Sequence, residues 1–164
     1  MQRQVSKLSR FDWLRASSCR HQLVNLSKCI YVINHWYEKH SHTNLDCQKH
    51  IIQMGSKGPI KGTLVSIHSS NQNQAIYDYA KSLPDTNTGA PYWIGIRRDC
   101  LGPDCGFEWA DFSKIDFTNW SPGEPNNAGD GEQCGQMTMW NGQWNDDGCS
   151  KLMQSVCQVY MDGK

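Results

Sequence analysis

Eight cysteines in a chain of 164 residues constrain the fold more than any other sequence feature. An even number of cysteines at this density is typical of proteins that form disulfides in an oxidising compartment. Zinc is the competing explanation, but the sequence contains no Cys-x-x-Cys pair, and the histidines cluster at positions 21–68, away from most of the cysteines. We therefore predict a disulfide-rich, secreted or extracellular protein, and the pairing stays open at this point.

Charge and hydropathy narrow the class of protein. Lysine plus arginine and aspartate plus glutamate both number 16, so no net charge favours a nucleic acid or a membrane surface. No apolar run approaches the roughly 20 residues of a membrane-spanning helix. Residues 1–10 are polar and basic, unlike a signal peptide. We expect neither nucleic-acid binding nor membrane insertion.

The first half of the chain has the pattern of helices and strands. Residues 1–18 are predicted to form a leader or neck segment. One helix is predicted over residues 43–54 and a second one after Ser69 and Gln72, which have the spacing of a capping box. Apolar residues of the second helix recur at helical spacing, and Pro84 ends it. These apolar residues are Ala75, Ile76, Tyr79 and Leu83.

The second half is rich in loops. Glycine, proline, asparagine and aspartate dominate after residue 84, with short strand-like segments between them. Helices first and loops with strands later indicate an α+β fold rather than alternating βαβ units. Long loops inside a compact domain usually carry function. The predicted strands are residues 29–33, 92–96, 136–140 and 155–160, and a short apolar run occupies residues 64–67.

Residues 124–146 concentrate oxygen-bearing side chains in one loop segment. Carboxylates and amide carbonyls suit a hard cation, because Ca²⁺ takes about six to eight oxygen ligands. Taken singly, each residue is equally well explained as a solvated turn former. As a set they predict a calcium site with coordination positions left for a ligand. The candidate ligands are Glu124, Asn126, Glu132, Asn145 and Asp146.

Three triplets resemble the C-type lectin domain. They are Trp-Ile-Gly at 93–95, Glu-Pro-Asn at 124–126 and Trp-Asn-Asp at 144–146, the last bracketed by Cys134 and Cys149. The match runs over residues 19–160. The resemblance implies an α+β fold with two helices, small antiparallel sheets and a long-loop region. It also implies that the tryptophans of these loops pack in the core.

The resemblance also implies the disulfides. Cys47 is expected to bond Cys157, and Cys134 to bond Cys149. The pair of Cys19 and Cys29 resembles the N-terminal hairpin of the family's long form. The remaining two, Cys100 and Cys105, are paired with each other, which departs from the commonest pattern.

By the same resemblance, the five candidate ligands hold one Ca²⁺, and Pro125 follows a cis peptide bond. Two neighbouring sugar hydroxyls complete the shell, one served by Glu124 and Asn126 and the other by Glu132 and Asn145. This order of residues goes with equatorial 3- and 4-hydroxyls. The expected partners are therefore glycans bearing mannose, fucose or N-acetylglucosamine-type sugars.

A second calcium site of the family is expected to be damaged. Asn127 and Gln133 stand where carboxylates would be expected. Asp99, Asp104 and Asp130 are the acids that could compensate, but the insertion of the cysteines at 100 and 105 leaves their placement open. We predict one ion.

Two other functions compete with sugar binding. Glu124 and Glu132 could act as a glycosidase pair, but committed to calcium both stay ionised, whereas a general acid needs a raised pKa. We therefore predict that the protein is not an enzyme. A module that binds a protein or another non-sugar ligand, with a structural Ca²⁺, is the remaining alternative. Sugar binding at one exposed site is expected to be weak and to need multivalency, and no feature of the sequence supports oligomerisation.

Overall fold

The computed structural model describes residues 28–38, 47, 62–82, 89–100 and 105–160. These residues form an α+β domain that contains helix α1 (Ser70–Ser82) and a mixed sheet. A 3-10 turn spans Ala128–Asp130. The strands are β1 (Lys28–Glu38), β2 (Gly62–Leu64), β3 (Tyr92–Arg98), β4 (Phe107–Trp109), β5 (Cys134–Met137), β6 (Trp144–Asp147) and β7 (Met153–Tyr160).

The described strands join in one sheet of order β1-β7-β3-β5-β6, with β2 paired to β7 and β4 paired to β3. Every pair is antiparallel except β3 and β7, which run parallel from Tyr92 opposite Gln154. The expectation of several small antiparallel sheets is corrected here. Strand β7 contacts β1, β2 and β3, and so merges the strands of both halves of the chain.

The predicted strands are present with shifted bounds. The segment after Leu64 leaves the regular strand, although Val65 N still donates to the carbonyl of Val156 at 2.9 Å. The strand predicted over residues 136–140 begins earlier, at Cys134, and ends at Met137. Beyond it the chain turns back, and the side chain of Trp140 is 82% exposed.

Helix α1 starts at the predicted cap. The backbone N–H of Gln72 donates to Ser69 Oγ at 3.2 Å, whereas Gln72 Oε1 accepts from the N–H of His68 at 2.7 Å, one residue before the expected one. The buried face also differs from the prediction, because Ala75 is exposed. Ile76 is buried as predicted and Tyr79 is partly buried, whereas Leu83 lies outside the described residues. The helix also buries Asn73, Tyr77 and Ala80.

The first predicted helix, over residues 43–54, lies outside the described residues except for Cys47, which is helical and buried. Cys47 is bonded to Cys157 on β7. The other disulfides of the described residues join Cys100 with Cys105 and Cys134 with Cys149. All three pairs were predicted, two from the resemblance and the pair of Cys100 with Cys105 because these two cysteines remained. Cys19 and the predicted leader, residues 1–18, lie outside the described residues.

Aromatic packing fills the core between helix and sheet. Trp93, Trp109 and Trp144 are fully buried. The ring of Trp144 meets the rings of Trp109, Phe117 and Trp120 edge-on, at centroid distances of 5.6, 5.7 and 5.7 Å. Edge-to-face pairs each add about 0.5–1.5 kcal/mol beyond the area they bury. The core thus supports the segment that follows Trp144.

Glycine at position 95 is required by close backbone approach. A Cβ on Gly95 would lie 2.9 Å from the carbonyl oxygens of Leu64 and Val65. Gly95 N donates to Val65 O at 2.8 Å, so β3 and the segment after β2 touch through their main chains.

In the described part of the chain, no helix is long and apolar enough to cross a membrane.

Candidate functional site

Strand β6 holds two of the candidate ligands next to a fixed core residue. Trp144 Nε1 donates to Asn73 Oδ1 on helix α1 at 2.7 Å, and both groups are buried. Asn145 and Asp146 follow, opposite Gln136 and Gly135 of β5. Because the indole anchors the start of the strand, the next two residues have a defined position.

The loop that carries the Glu-Pro-Asn triplet is attached to the same strand. Trp120 forms a bridge with Trp144, and Ser121 N donates to the carbonyl of Trp144 at 2.8 Å. Glu124 N in turn donates to the carbonyl of Ser121 at 2.9 Å. The peptide bond between Glu124 and Pro125 is cis. Residues 124–126 are thereby brought back beside β6.

The carboxylate of Asp146 lies at the centre of the candidate ligands and is 0% exposed. Its Oδ1 accepts from the N–H of Asn126 at 3.0 Å, and its Oδ2 accepts from the N–H of Asn127 at 3.0 Å. Oδ2 also accepts from Arg98 Nη2 at 3.1 Å. A buried carboxylate requires such partners, because an unpaired charge there is costly.

Glu124, Asn126 and Glu132 are joined by short hydrogen bonds. Asn126 Nδ2 donates to Glu124 Oε1 at 2.9 Å. The N–H of Ala128 lies 2.8 Å from both Asn126 Oδ1 and Glu132 Oε2, and donates to each. The structure thus brings four of the five candidate ligands into one network around Asp146. Asn145 joins it through its Nδ2, which donates to the main-chain carbonyl of Asp146.

Burial and neighbouring acids shift the titration of Glu124. The pKa of Glu124 is raised, first because partial burial disfavours its charge and then because Asp146 lies beside it. The charge of Glu132 raises the pKa further, and the N–H of Asn126 opposes the rise. Carboxylates in this arrangement repel one another unless a cation or a proton joins them. The network therefore has the charge and the oxygen donors that fit Ca²⁺.

The positions of the second family site make hydrogen bonds with the loop itself. Asn127 adopts a left-handed conformation, with φ of 48°. Its Oδ1 accepts from the N–H of Glu132 at 3.1 Å and from Gln133 Nε2 at 3.4 Å. Asp130 is exposed, and Asp104 lies outside the described residues. The amide of Asn127 therefore ties the two ends of the 3-10 turn together.

A second polar group was missed by the sequence reasoning. We call it the Asp111 cluster. Asp111 Oδ2 accepts from Ser66 Oγ at 2.6 Å and from Gln158 Nε2 at 2.7 Å, and Asp111 Oδ1 accepts from the hydroxyl of Ser113. No signal in the sequence could find it, since its members come from distant segments. The cluster comprises Ser66, His68, Asp111, Ser113, Asp116 and Gln158.

Within the Asp111 cluster, His68 has the neighbours of a hydrolase triad. Its Nδ1 lies 2.8 Å from Asp116 Oδ1, and its Nε2 lies 3.1 Å from Ser66 Oγ and 3.2 Å from Ser113 Oγ. Both serine hydroxyls, however, donate their protons to Asp111. An activated nucleophile must give its proton to the base. The cluster is therefore a structural network.

This fold, with an oxygen-rich loop beside β6, defines a binding module. The family model of the Lectin C-type domain matches residues 57–159. The chain belongs to this family, whose members are binding modules and not enzymes. The predictions of the family, of an α+β lectin fold and of a non-enzymatic protein are confirmed.

Relatives of known name are similar over much of the chain. Echinoidin of Heliocidaris crassispina is 39% identical over 109 residues, which are 63% of this chain and 72% of echinoidin. The human low affinity immunoglobulin epsilon Fc receptor is 31% identical over 142 residues, which are 86% of this chain and 38% of the receptor. For the mouse receptor the covered share is 27%. The chain therefore spans well under half of these two receptors.

Solved structures agree in fold. The cow C-type carbohydrate-recognition domain of CD23, determined in the presence of a GlcNAc2Man3 oligosaccharide, has a TM-score of 0.62 at 33% identity. The match covers 80% of this chain and 87% of that one. The C-type lectin CEL-I from Cucumaria echinata has a TM-score of 0.70 at 23% identity, over 83% and 92% of the two chains.

Proposed function

We propose that this domain binds carbohydrate in a calcium-dependent manner, with mannose-type specificity. The observation that carries the proposal is the buried carboxylate of Asp146, which gathers Glu124, Asn126 and Glu132 around itself. Three carboxylates, those of Glu124, Glu132 and Asp146, belong to this network, and the pKa of Glu124 is raised by burial and by Asp146 beside it. One Ca²⁺ would supply positive charge to these carboxylates.

Glu124, Asn126, Glu132, Asn145 and Asp146 would hold the ion. Bound calcium supplies direct coordination of two adjacent sugar hydroxyls, because protein ligands leave part of its shell open. Each hydroxyl donates its proton to a carboxylate and accepts from an amide N–H. Glu124 and Asn126 serve one hydroxyl, and Glu132 and Asn145 serve the other.

The sugar class follows from the order of donor and acceptor along the triplet at 124–126. An acid first and an amide last suits the equatorial 3- and 4-hydroxyls of mannose, fucose-like arrangements and N-acetylglucosamine. The CD23 domain determined with a GlcNAc2Man3 oligosaccharide supports this assignment, at 33% identity. We assign mannose-bearing and related glycans as partners.

Secretion into an oxidising compartment is part of the proposal. Three disulfides of the described residues support it, since such bonds persist in oxidising surroundings. A single open site binds a monosaccharide weakly, and strength comes from several sites that act together. The biological target is therefore expected to be a surface that displays many glycans.

Chromatography on mannose-agarose tests the proposal. The protein is expected to be retained in calcium and eluted by a chelator. Glu124→Gln should abolish retention, because the variant removes one negative charge from the calcium site and replaces a charged acceptor for a sugar proton by a weaker, neutral one. Asp130→Asn, an exposed acid of the same loop, is the matched control and should be retained like the wild type. Absence of wild-type retention together with a blank glycan array would refute sugar binding.

A double substitution tests the sugar class separately. Glu124→Gln combined with Asn126→Asp reverses the order of amide and acid while keeping the set of oxygens. The variant is expected to lose mannose and to bind galactose, with calcium still required. Retention on mannose unchanged by the reversal would show that the triplet does not select the sugar.

A protein ligand is the second candidate function. The similarity to the immunoglobulin epsilon Fc receptors, at 31% and 36% identity, favours it. In that case calcium would stabilise the domain without any glycan bound. A rise in the unfolding temperature on addition of calcium, combined with a blank glycan array, would select this candidate.

A further inference from the structure

Arg98 is a buried cation beside the candidate ligands. Its side chain is only 7% exposed. Nη2 donates to Asp146 Oδ2 at 3.1 Å, and Nε donates to the main-chain carbonyl of Glu132 at 3.2 Å. The guanidinium also lies over the ring of Phe107, 4.7 Å from its centroid. Two hydrogen bonds and a stacked ring give this cation one fixed position.

The backbone of Arg98 holds the same part of the loop. Arg98 is the last residue of β3 and pairs with Phe107 of β4. Its N–H donates to the carbonyl of Gln133 at 2.8 Å. The side chain and the main chain of Arg98 therefore donate to the consecutive carbonyls of Glu132 and Gln133, where the loop leads into β5.

We propose that Arg98 is a positioning residue that holds residues 126–133 in the binding arrangement before calcium is present. Asp146 accepts two neutral N–H groups, from Asn126 and Asn127, but these do not cancel its charge. Arg98 does, as the one cation paired with Asp146 in the described part of the chain. Without it, a buried charge would stand unpaired next to Glu124 and Glu132, and the loop would open.

The role of Arg98 rests on the proposed function, because calcium is what replaces the missing positive charge. In an Arg98→Met variant the loop should lose order only while calcium is absent. Bound calcium neutralises Asp146 from the other side and should restore the loop. If Arg98 only filled space, its loss would disorder the loop equally with and without calcium. The response to calcium therefore distinguishes a positioning role from a packing role.

Arg97 provides a matched control one residue earlier on the same strand. Its side chain is 45% exposed, and its Nη2 lies 2.6 Å from Glu108 Oε1. Arg97→Met removes the same charge and the same length of side chain as Arg98→Met. It leaves the contacts with Asp146 and Glu132 in place, so it should leave the loop unchanged.

Hydrogen exchange at the amides of Asn126 and Asn127 is the measurement. Both amides donate to Asp146 and report directly on the loop. In a chelator, Arg98→Met should exchange about tenfold or more faster than the wild type, since breaking a buried pair strongly favours local opening. Arg97→Met should stay within about twofold of the wild type, and excess calcium should return Arg98→Met to within about threefold.

Equal protection of the Arg98→Met and wild-type loops in chelator would overturn the proposal. Protection that stays lost in a variant saturated with calcium would overturn it as well, because it would show a purely structural role. If Arg98→Met fails to fold, Arg98→Lys decides. It keeps the charge but loses the two-pronged contact, and its exchange in chelator should be several-fold faster and restored by calcium. Wild-type exchange in Arg98→Lys would count against the role.

Failure of the proposed function would look different. In that case calcium would change neither the wild-type exchange rates nor the retention on mannose-agarose. The comparison of Arg98→Met with Arg97→Met in chelator would still show whether Arg98 holds the loop.

Discussion

The surroundings of Asp146 and the Asp111 cluster are both built around a hydrogen-bonded carboxylate, but neighbouring groups shift the pKa of an adjacent acid in opposite directions. Asp146 and Asp111 each accept several hydrogen bonds from the surrounding chain. Beside Asp146, the pKa of Glu124 is raised, because burial and neighbouring acids disfavour its charge. In the Asp111 cluster, the pKa of Asp116 is lowered, chiefly because of its hydrogen bond with His68.

The difference separates a binding loop from a structural network. In the Asp111 cluster both oxygens of Asp111 accept hydrogen bonds, and His68 favours the charged form of Asp116. Around Asp146, one arginine faces three carboxylates, so a surplus of negative charge remains. Carboxylates whose charge is balanced by hydrogen bonds and cations of the protein bind an added cation weakly. Carboxylates with surplus negative charge are stabilised by a bound cation.

The largest expected effect is that of Asp146→Ala. The variant should bind calcium at least about 100-fold more weakly. Its free energy of unfolding should also fall by about 3–5 kcal/mol, because Arg98 is left buried without a counter-charge. Calorimetric titration with calcium and urea denaturation measure the two effects. Asp130→Ala is the control, and calcium affinity within tenfold of the wild type in Asp146→Ala would remove Asp146 from the site.

Asp111→Ala is expected to affect stability alone. Gln158 is fully buried and Ser66 nearly so, and each would lose the closest of its acceptors. The free energy of unfolding should fall by about 2 kcal/mol. The increase in unfolding temperature caused by calcium should remain that of the wild type. A smaller calcium-induced increase in the unfolding temperature of this variant would mean that the Asp111 cluster and the group around Asp146 are coupled.

Acid should release calcium earlier than an ordinary glutamate would predict. Protons compete with the ion for Glu124, and its pKa is raised from 4.5. Calcium affinity should therefore be lost as pH falls through this raised value. In calcium-free protein, the pH dependence of stability runs in the opposite direction to that of calcium affinity. There the contribution of Glu124 to stability is present below 4.5 and lost as pH rises through the raised pKa.

Calcium titrations and thermal unfolding over a series of pH values measure both parts of this behaviour. Glu124→Gln should lack the part of each dependence that Glu124 contributes, while Glu132 and Asp146 still release calcium at lower pH. A calcium affinity that falls only below the usual range of glutamate would contradict the crowding of acids around Asp146.

The smallest effect is expected for Asp116→Asn, since the side chain of Asp116 is 47% exposed. A lowered pKa means that Asp116 stabilises the fold above its unfolded value of 3.8, and that this contribution is lost as pH falls through the lowered value. The variant should lack this part of the acid dependence. Acid unfolding curves at low salt measure it, and identical curves for both proteins would show that the contact between Asp116 and His68 adds nothing to stability.

The features that sequence predicted well are those set by short-range chemistry. The triplet at 93–95 places a buried tryptophan and a glycine where only glycine fits against Leu64 and Val65. The helix cap at Ser69 and three disulfide pairs were also found. The network around Asp146 brings the candidate ligands together, while calcium ligation itself stays a prediction.

The features that sequence missed depend on distant segments meeting. Arg98 looks like an exposed charge on a strand, because its burial depends on a loop more than 30 residues later. The Asp111 cluster joins the segment after β2, the loop after β4 and strand β7. Ala75 was assigned to the buried face of its helix because spacing alone cannot tell which neighbour the helix will pack against. The parallel pairing of β3 with β7 is likewise invisible in local patterns.

The pairing of β1 with β7 determines how this domain can be displayed. Lys28, the first residue of β1, lies opposite Tyr160, the last residue of β7. The first and last residues of the sheet are therefore neighbours. Strand β6, which carries Asn145 and Asp146, is the outermost strand on the other side, four strand spacings or about 19 Å away. A support attached at Lys28 or at Tyr160 would therefore hold the domain by the same edge of the sheet, opposite the strand that carries Asn145 and Asp146.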